Sequence, residues 1–389
     1  MRSTRYSTSR QKSCQQCSGA KARCDHKPRG CSRCAQRGLT CTYPQGASVV
    51  DCSPSNSTST LSAENQLFVS STTNAINPVT NREDPDFSRL DQADLICPVN
   101  VEEIATRWVN SYISVPGQLI KDYHPRISDF IYRILKSYAS MSVRGREVPP
   151  FIHPSQKIRL SSNPSLTTCM SIVRMCEKPL PGSEGVATEI LAQEMSKIYE
   201  RQSTYDDMDL LETFQAYLVY TMVLFFRLNQ GPSPFLRQTM LNLQELACST
   251  SRQGLICLAE QQQARPKWEA WMVTEAKRRT LYVMYLLDNV LSSQEGLPTF
   301  LGTELRGLPA PASKSLWEAR TRRDWEMKYN VHLAEWPEGG LHIDELWSMP
   351  SDFDDFSIAE RRSRVDQWLE DLDEFGMMIY TVTSCTHGG

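Results

Sequence analysis

The sequence predicts a small head of two short helices and loops folded around metal, a disordered linker, and a large all-α body. Three observations predict it. Six cysteines fall at regular spacing between residues 14 and 41. Half of the residues from Gln45 to Asp84 are Ser, Thr, Asn or Pro. Beyond about residue 97, apolar residues recur at helical rather than alternating intervals. The 389 residues carry a net charge of -3, with 40% hydrophobic and 22% charged residues, which excludes a collagenous or wholly disordered chain. The longest uncharged apolar stretch, between Glu212 and Arg227, has 14 residues, too few to span a bilayer.

The head comes first in the chain. Residues 1–13 form a basic arm and residues 14–44 the cysteine domain; residues 45–97 form the linker and 98–389 the body. Residues 1–44 hold ten cations, with Asp25 as their one acid. They therefore carry +9, and the rest of the chain carries -12. A basic head on an acidic body points to a polyanion as partner for the head. Residues Met1 to Tyr6 lack the apolar stretch of a secretory leader, so metal ligation is a better reading of the cysteines than disulfides.

Cys14, Cys17, Cys24, Cys31, Cys34 and Cys41 follow the pattern C-x2-C-x6-C-x6-C-x2-C-x6-C, and the second half repeats the first with an offset of 17. Three thiolates are too few to close a tetrahedral zinc site. Two zincs need eight ligand positions, which six thiolates fill only if two sulfurs bridge both metals. The symmetric candidates are Cys14 and Cys31, the first of each half. Each C-x2-C can start a short helix whose N–H groups bond the sulfurs. Two Zn(2+) ions per chain would supply much of the folding energy, because about 30 residues build no adequate core.

With all six cysteines in register, residues 13–43 resemble the fungal Zn(2)-Cys(6) binuclear cluster DNA-binding domain, and Pro28 sits in the loop between the halves as is usual there. The resemblance implies double-stranded DNA as partner and the first and fourth cysteines as bridges. It also implies that Lys21, three residues before the third cysteine, reads guanine acceptors of a CGG-type half-site in the major groove. Arg23, Lys27, Arg29, Arg33 and Arg37 would then mostly hold phosphates. The chain departs from the pattern at Ser18, Gly19 and Ala20, where relatives often carry cations; Arg2, Arg5, Arg10 and Lys12 of the arm can compensate.

The linker cannot bury enough apolar surface to offset its ordering entropy, and no sustained heptad marks a coiled coil, which leaves monomer and homodimer open. In the body, the spacing predicts a helix from Val101 to Ile113 capped by Asn100. It predicts others over Ile127–Tyr138 and Leu210–Phe226, and around 235–247, 269–292, 315–333 and 357–383. Lys277, Arg278 and Arg279 read as a solvated helical face. The same stretch resembles the Arg-Arg-Thr region of the fungal transcription factor regulatory domain, the middle homology region, which implies an all-helical regulatory body.

The stretch from Asp344 to Phe356 mixes acids with Leu346, Trp347, Phe353 and Phe356. It reads equally as a coactivator-binding activation segment or as a partly buried loop. Cys52, Cys97, Cys169, Cys176, Cys248, Cys257 and Cys385 lack paired ligand spacing and read as buried or free thiols. No nucleotide-binding, zinc-protease or nucleophile-elbow motif is present, and the six histidines are scattered; His342 with Asp344 comes nearest to a catalytic pair. The expectation is a non-enzymatic, nuclear, sequence-specific transcription factor that contacts the transcription machinery. Its layout resembles pathway-specific activators of fungal secondary-metabolite gene clusters. The alternatives are a zinc-dependent interaction module or repressor without DNA readout, and an enzyme carrying a zinc appendage.

Overall fold

A computed structural model describes residues 13–20, 22–25, 31–37, 39–41, 85–87, 90, 94–113, 120–121, 123–158, 164–178, 182–231 and 233–387. The chain forms two compact units, Met1–Asn77 and Pro78–Gly389. The first holds α1 (Gln15–Gly19) and α2 (Ser32–Gln36). The second begins with β1 (Leu95–Ile96), α3 (Val101–Asn110), α4 (Pro125–Arg144), α5 (Ser165–Ile172), α6 (Glu184–Glu200), α7 (Asp207–Phe226) and α8 (Pro234–Arg252). It continues with β2 (Ile256–Cys257), α9 (Leu258–Gln261), α10 (Trp268–Gln294), α11 (Lys314–Trp317), α12 (Arg322–Glu335), α13 (Asp355–Leu369) and α14 (Glu374–His387).

Local sequence sets the helix starts. Asn100 accepts the Glu102 N–H at 3.2 Å ahead of α3. Asp206 accepts the Asp209 N–H at 2.7 Å ahead of α7, and Ser233 with Pro234 opens α8 through a 3.1 Å bond from the Leu236 N–H. α4 ends at Gly145, whose φ of 64° suits glycine. α7 is buried along its whole length and packs against α4, α5, α6, α8 and α10. α10 is buried from Trp268 to Ser292, so these two helices form the axis of the body. Such all-round burial explains why α7 shows a continuous apolar run rather than one stripe.

Four expectations are corrected. The helix expected over 315–333 is two, α11 and α12, because Thr321 restarts the chain by capping Asp324 at 3.2 Å. The helix expected over 357–383 is also two, α13 and α14. The break is held by the Asp371 carbonyl, which accepts the Lys314 N–H at 2.8 Å, and by Asp373, which accepts the Gly376 N–H at 2.8 Å. The end of the expected 45–97 linker belongs to the body: β1 pairs antiparallel with β2, and Phe87 and Leu90 pack on the cluster around Trp271. Gly254, at φ 103°, permits that pairing, since a Cβ there would fall 2.5 Å from Leu95 Cβ. The preceding residues 45–84 lie outside the described residues.

The fourth correction concerns Lys277, Arg278 and Arg279, which are buried rather than solvated. Glu275 accepts from Arg278 at 2.8 Å and from Arg279 at 2.6 Å, Arg279 also reaches Asp373, and Lys277 meets Asp207 at 2.5 Å. Burial alone would raise the Glu275 carboxyl, but Arg279 and Arg278 hold it below the usual carboxylate range. A second buried network centres on Arg107, which bonds Asp288 at 2.7 Å and Glu304 at 2.9 Å and lies 4.3 Å from the Tyr285 ring centroid.

The acidic and aromatic stretch divides. Asp344 accepts the Gly307 N–H at 2.8 Å, Glu345 pairs with Arg364 at 2.8 Å and Leu346 is core. Asp354 caps α13 at 2.8 Å, while Phe356 is 75% exposed. Asp344 is thus spent on backbone rather than on His342. His153 is a core histidine: its Nε2 lies 3.0 Å from the Trp317 carbonyl, and its Nδ1 accepts the Ser155 N–H at 3.2 Å. Burial lowers it to about 4, leaving it neutral at pH 7. Cys169, Cys176, Cys248 and Cys257 are buried free thiols and Cys97 is half-buried; Cys52 lies outside the described residues. No helix among the described residues is long and apolar enough to cross a membrane.

Candidate metal centre

The two halves of the head repeat in backbone as well as in sequence. The Cys17 N–H donates to Cys14 Sγ at 3.4 Å, and the Cys34 N–H donates to Cys31 Sγ at the same distance. The Ala22 N–H reaches the Cys17 carbonyl at 2.9 Å, and the Leu39 N–H reaches the Cys34 carbonyl at 3.0 Å. All four bonds follow the 17-residue offset. Each C-x2-C thus places its first sulfur under the free N–H groups of a five-residue helix, where partial positive charge favours a thiolate.

The sulfurs converge in two groups. Those of Cys14, Cys17, Cys24 and Cys31 lie within 4.8 Å of one another, and so do those of Cys14, Cys31, Cys34 and Cys41. Cys14 and Cys31 are common to both. Cys14 to Cys31 and Cys14 to Cys34 are 3.8 Å apart, and Cys17 to Cys31 is 3.5 Å. Sulfurs placed about 2.3 Å from a tetrahedral zinc have edges of about 3.8 Å, so the spacing fits two zincs that share two sulfurs. An all-sulfur donor set is also the soft set that zinc accepts and magnesium or calcium does not.

Electrostatics adds a condition. Burial, with neighbouring thiols, pushes Cys14 up to about 12. At Cys31 the Cys34 N–H favours the thiolate, but burial and the thiols of Cys34, Cys17 and Cys41 outweigh it and raise the group. Cys41 is lowered, because the Cys31 N–H donates to its sulfur at 3.2 Å. Sulfurs this close ionise together only around cations, so metal uptake expels protons and weakens as pH falls.

Of the expected DNA-contact residues, Arg23 and Arg37 are exposed. Arg33 is half-buried and its Nη1 lies 3.8 Å from Cys17 Sγ, so part of its charge offsets the sulfur cluster. Lys21, Lys27 and Arg29 lie outside the described residues. Sequence reasoning missed Asp25. Its carboxylate accepts the Ser32 N–H at 2.9 Å and the Ser32 hydroxyl at 2.6 Å, tying the first half to the start of α2. Its standing as the one acid in residues 1–44 was the available signal.

A six-thiol, two-metal cluster inside a basic segment defines a metal-folded DNA-binding head. Residues 12–48 match the fungal Zn(2)-Cys(6) binuclear cluster domain, which binds two zinc ions through six cysteines and belongs to DNA-binding transcription regulators rather than enzymes. No curated protein and no solved structure matches the chain.

Proposed function

We propose that the protein is a sequence-specific transcription factor that reads CGG-type half-sites. Lys21 hydrogen-bonds guanine O6 and N7, while Arg23, Lys27, Arg29, Arg33 and Arg37 hold phosphates. The observation that carries the reading is the sharing of Cys14 and Cys31 by both four-sulfur groups, within a segment of net charge +9. The two zincs fix the head's backbone, and the helix starts at Gln15 and Ser32 are held by the metal ligands themselves.

In the same reading, the helical unit is a regulatory domain of the middle homology type. The protein acts in the nucleus as a pathway-specific activator of a fungal secondary-metabolite gene cluster. Exposed Phe353 and Phe356 among Asp352, Asp354 and Asp355 suit a contact with the transcription machinery. Mobility shift of the full chain on CGG-containing duplexes tests the proposal. Zinc-dependent retention that scrambled duplex does not compete, with affinity falling steeply as salt rises, supports it. Zinc-dependent folding without duplex retention would instead mark a protein-interaction module.

A further inference from the structure

Charge is unevenly spread along the rest of the chain. Residues 45–120 carry -6 and residues 179–389 carry -12, but residues 121–178 hold ten cations and four acids, a net +6. Much of that positive charge gathers on α4. At about 100° and 1.5 Å per residue, Arg126, Asp129, Arg133, Lys136, Ser137, Ser140 and Arg144 share a face about 100° wide and about 27 Å long. Ile131, Leu135 and Tyr138 turn the other way, into the core. Arg133, Lys136, Arg144 and Arg146 line a recess of about 560 Å³, with Glu147 as the one acid among its lining residues.

Few internal contacts hold these cations. Arg126, Arg133, Lys136, Arg144 and Arg146 are all exposed. Arg133 pairs with Asp129 at 2.7 Å, but both side chains are more than half exposed, so the pair contributes little. The other four have no carboxylate partner among the described residues, and Lys136 meets the Tyr132 ring only at 5.9 Å. Helix stability accounts for Arg144 in the last turn of α4. It disfavours Arg126 in the first turn, which holds no acid. A row of unmatched cations on an otherwise acidic unit is complementary to a polyanion.

We propose that the outward face of α4 is a second phosphate-binding surface, which holds duplex backbone outside the triplet read by the head and has no base preference. Exposed Arg and Lys side chains fit phosphate oxygens, which accept from them whatever the base sequence. A phosphate role for α4 rests on the DNA-binding reading of the head, which brings the polyanion within reach. Residues 42–84, between the head and Pro85, span at most about 150 Å of chain. One chain carries both surfaces, so the second contact forms at an effective concentration of up to about 1 mM. A contact at the weak end of the non-specific range, about 10⁻⁴ M, therefore counts when tethered but does not retain duplex by itself.

Titration of the zinc-loaded full chain with two labelled duplexes, followed by fluorescence anisotropy at several salt concentrations, tests the proposal. Both duplexes carry one CGG triplet; one has about 12 base pairs and the other about 40, at 3.4 Å per pair. Wild type should bind the long duplex at least tenfold more tightly, a readout that needs no variant. Combining Arg133→Ser, Lys136→Ser, Arg144→Ser and Arg146→Ser should remove that difference. The salt slope on the long duplex should fall by about 2–4, with the short duplex unaffected. A charge-matched control, Arg201→Ser, Arg306→Ser, Arg320→Ser and Arg323→Ser, should bind like wild type. All eight side chains are exposed, and retained helical circular dichroism checks that both variants fold. Equal binding of the two duplexes by wild type, no loss in the folded α4 variant, or an equal loss in the control would overturn the proposal and leave the head's DNA binding standing. Zinc-dependent retention of neither duplex would overturn both.

Discussion

In the head, six sulfurs occupy the place of a core: Cys14, Cys17, Cys31 and Cys34 are fully buried, and among the described residues no other hydrophobic residue type joins their cluster. In the body, two apolar clusters, one along α7 and the later part of α10 and one around Trp271, flank Glu275, Lys277, Arg278 and Arg279. Both regions bury charge, and each must match it. The head matches thiolates with metal taken from outside. The body matches carboxylates with its own arginines, contributed by segments far apart in sequence. The head's fold is therefore conditional on metal, and the body's is written into its own side chains.

Chelation should divide the two regions most sharply. Structural zinc supplies about 10–16 kcal/mol of folding free energy in small domains, so removing it should unfold residues 13–41 and abolish duplex binding. The helical circular dichroism of the body and its melt should persist. Loss of both signals together would contradict the comparison.

Glu275→Ala strikes the body's own charge matching. It leaves Arg278 and Arg279 buried beside a missing partner, and should destabilise the body by about 3–5 kcal/mol in urea unfolding, with zinc content unchanged. A loss under 1 kcal/mol would mean that water or a rearranged carboxylate replaces the pair.

His153 gives the body a pH signature. Its folded value is about 4 and an unfolded histidine titrates near 6.5, so the unfolded chain binds the proton first. The stability that neutral His153 provides is complete above about pH 6.5 and is lost as pH falls toward 4, about 3 kcal/mol in all. The difference in pH dependence between wild type and His153→Gln isolates this group from the buried carboxylates. Equal slopes would show that His153 takes up its proton while folded.

Lys21→Ala should have the smallest effect, about 1–3 kcal/mol of binding with relaxed base preference, measured by selection from random duplexes. Arg23→Ala should weaken all sequences alike. Uniform weakening by Lys21→Ala would make Lys21 a phosphate contact.

Much of the head was legible because metal ligation leaves a one-dimensional trace: ligand type, spacing and a 17-residue repeat. Counting required two shared sulfurs and made Cys14 and Cys31 the symmetric candidates, and these are the two sulfurs common to both groups. α4, α7 and α10 were legible as long apolar segments. The charge triplet at Lys277 was misread because three adjacent cations resemble any exposed helical face. Two of its partners, Asp207 and Asp373, lie 70 and 94 residues away. The restart at Thr321 and the break at Asp371 depend on tertiary contacts that periodicity does not report. β1 was hidden by averaging two apolar residues into a polar stretch.

The central claim is that two zincs share two sulfurs. Metal analysis of the purified full chain, by native mass spectrometry against its thiol count, tests it most directly. Two zincs per chain, both lost in Cys14→Ser and in Cys31→Ser, are predicted. One zinc per chain, or a full complement retained after either substitution, would contradict it.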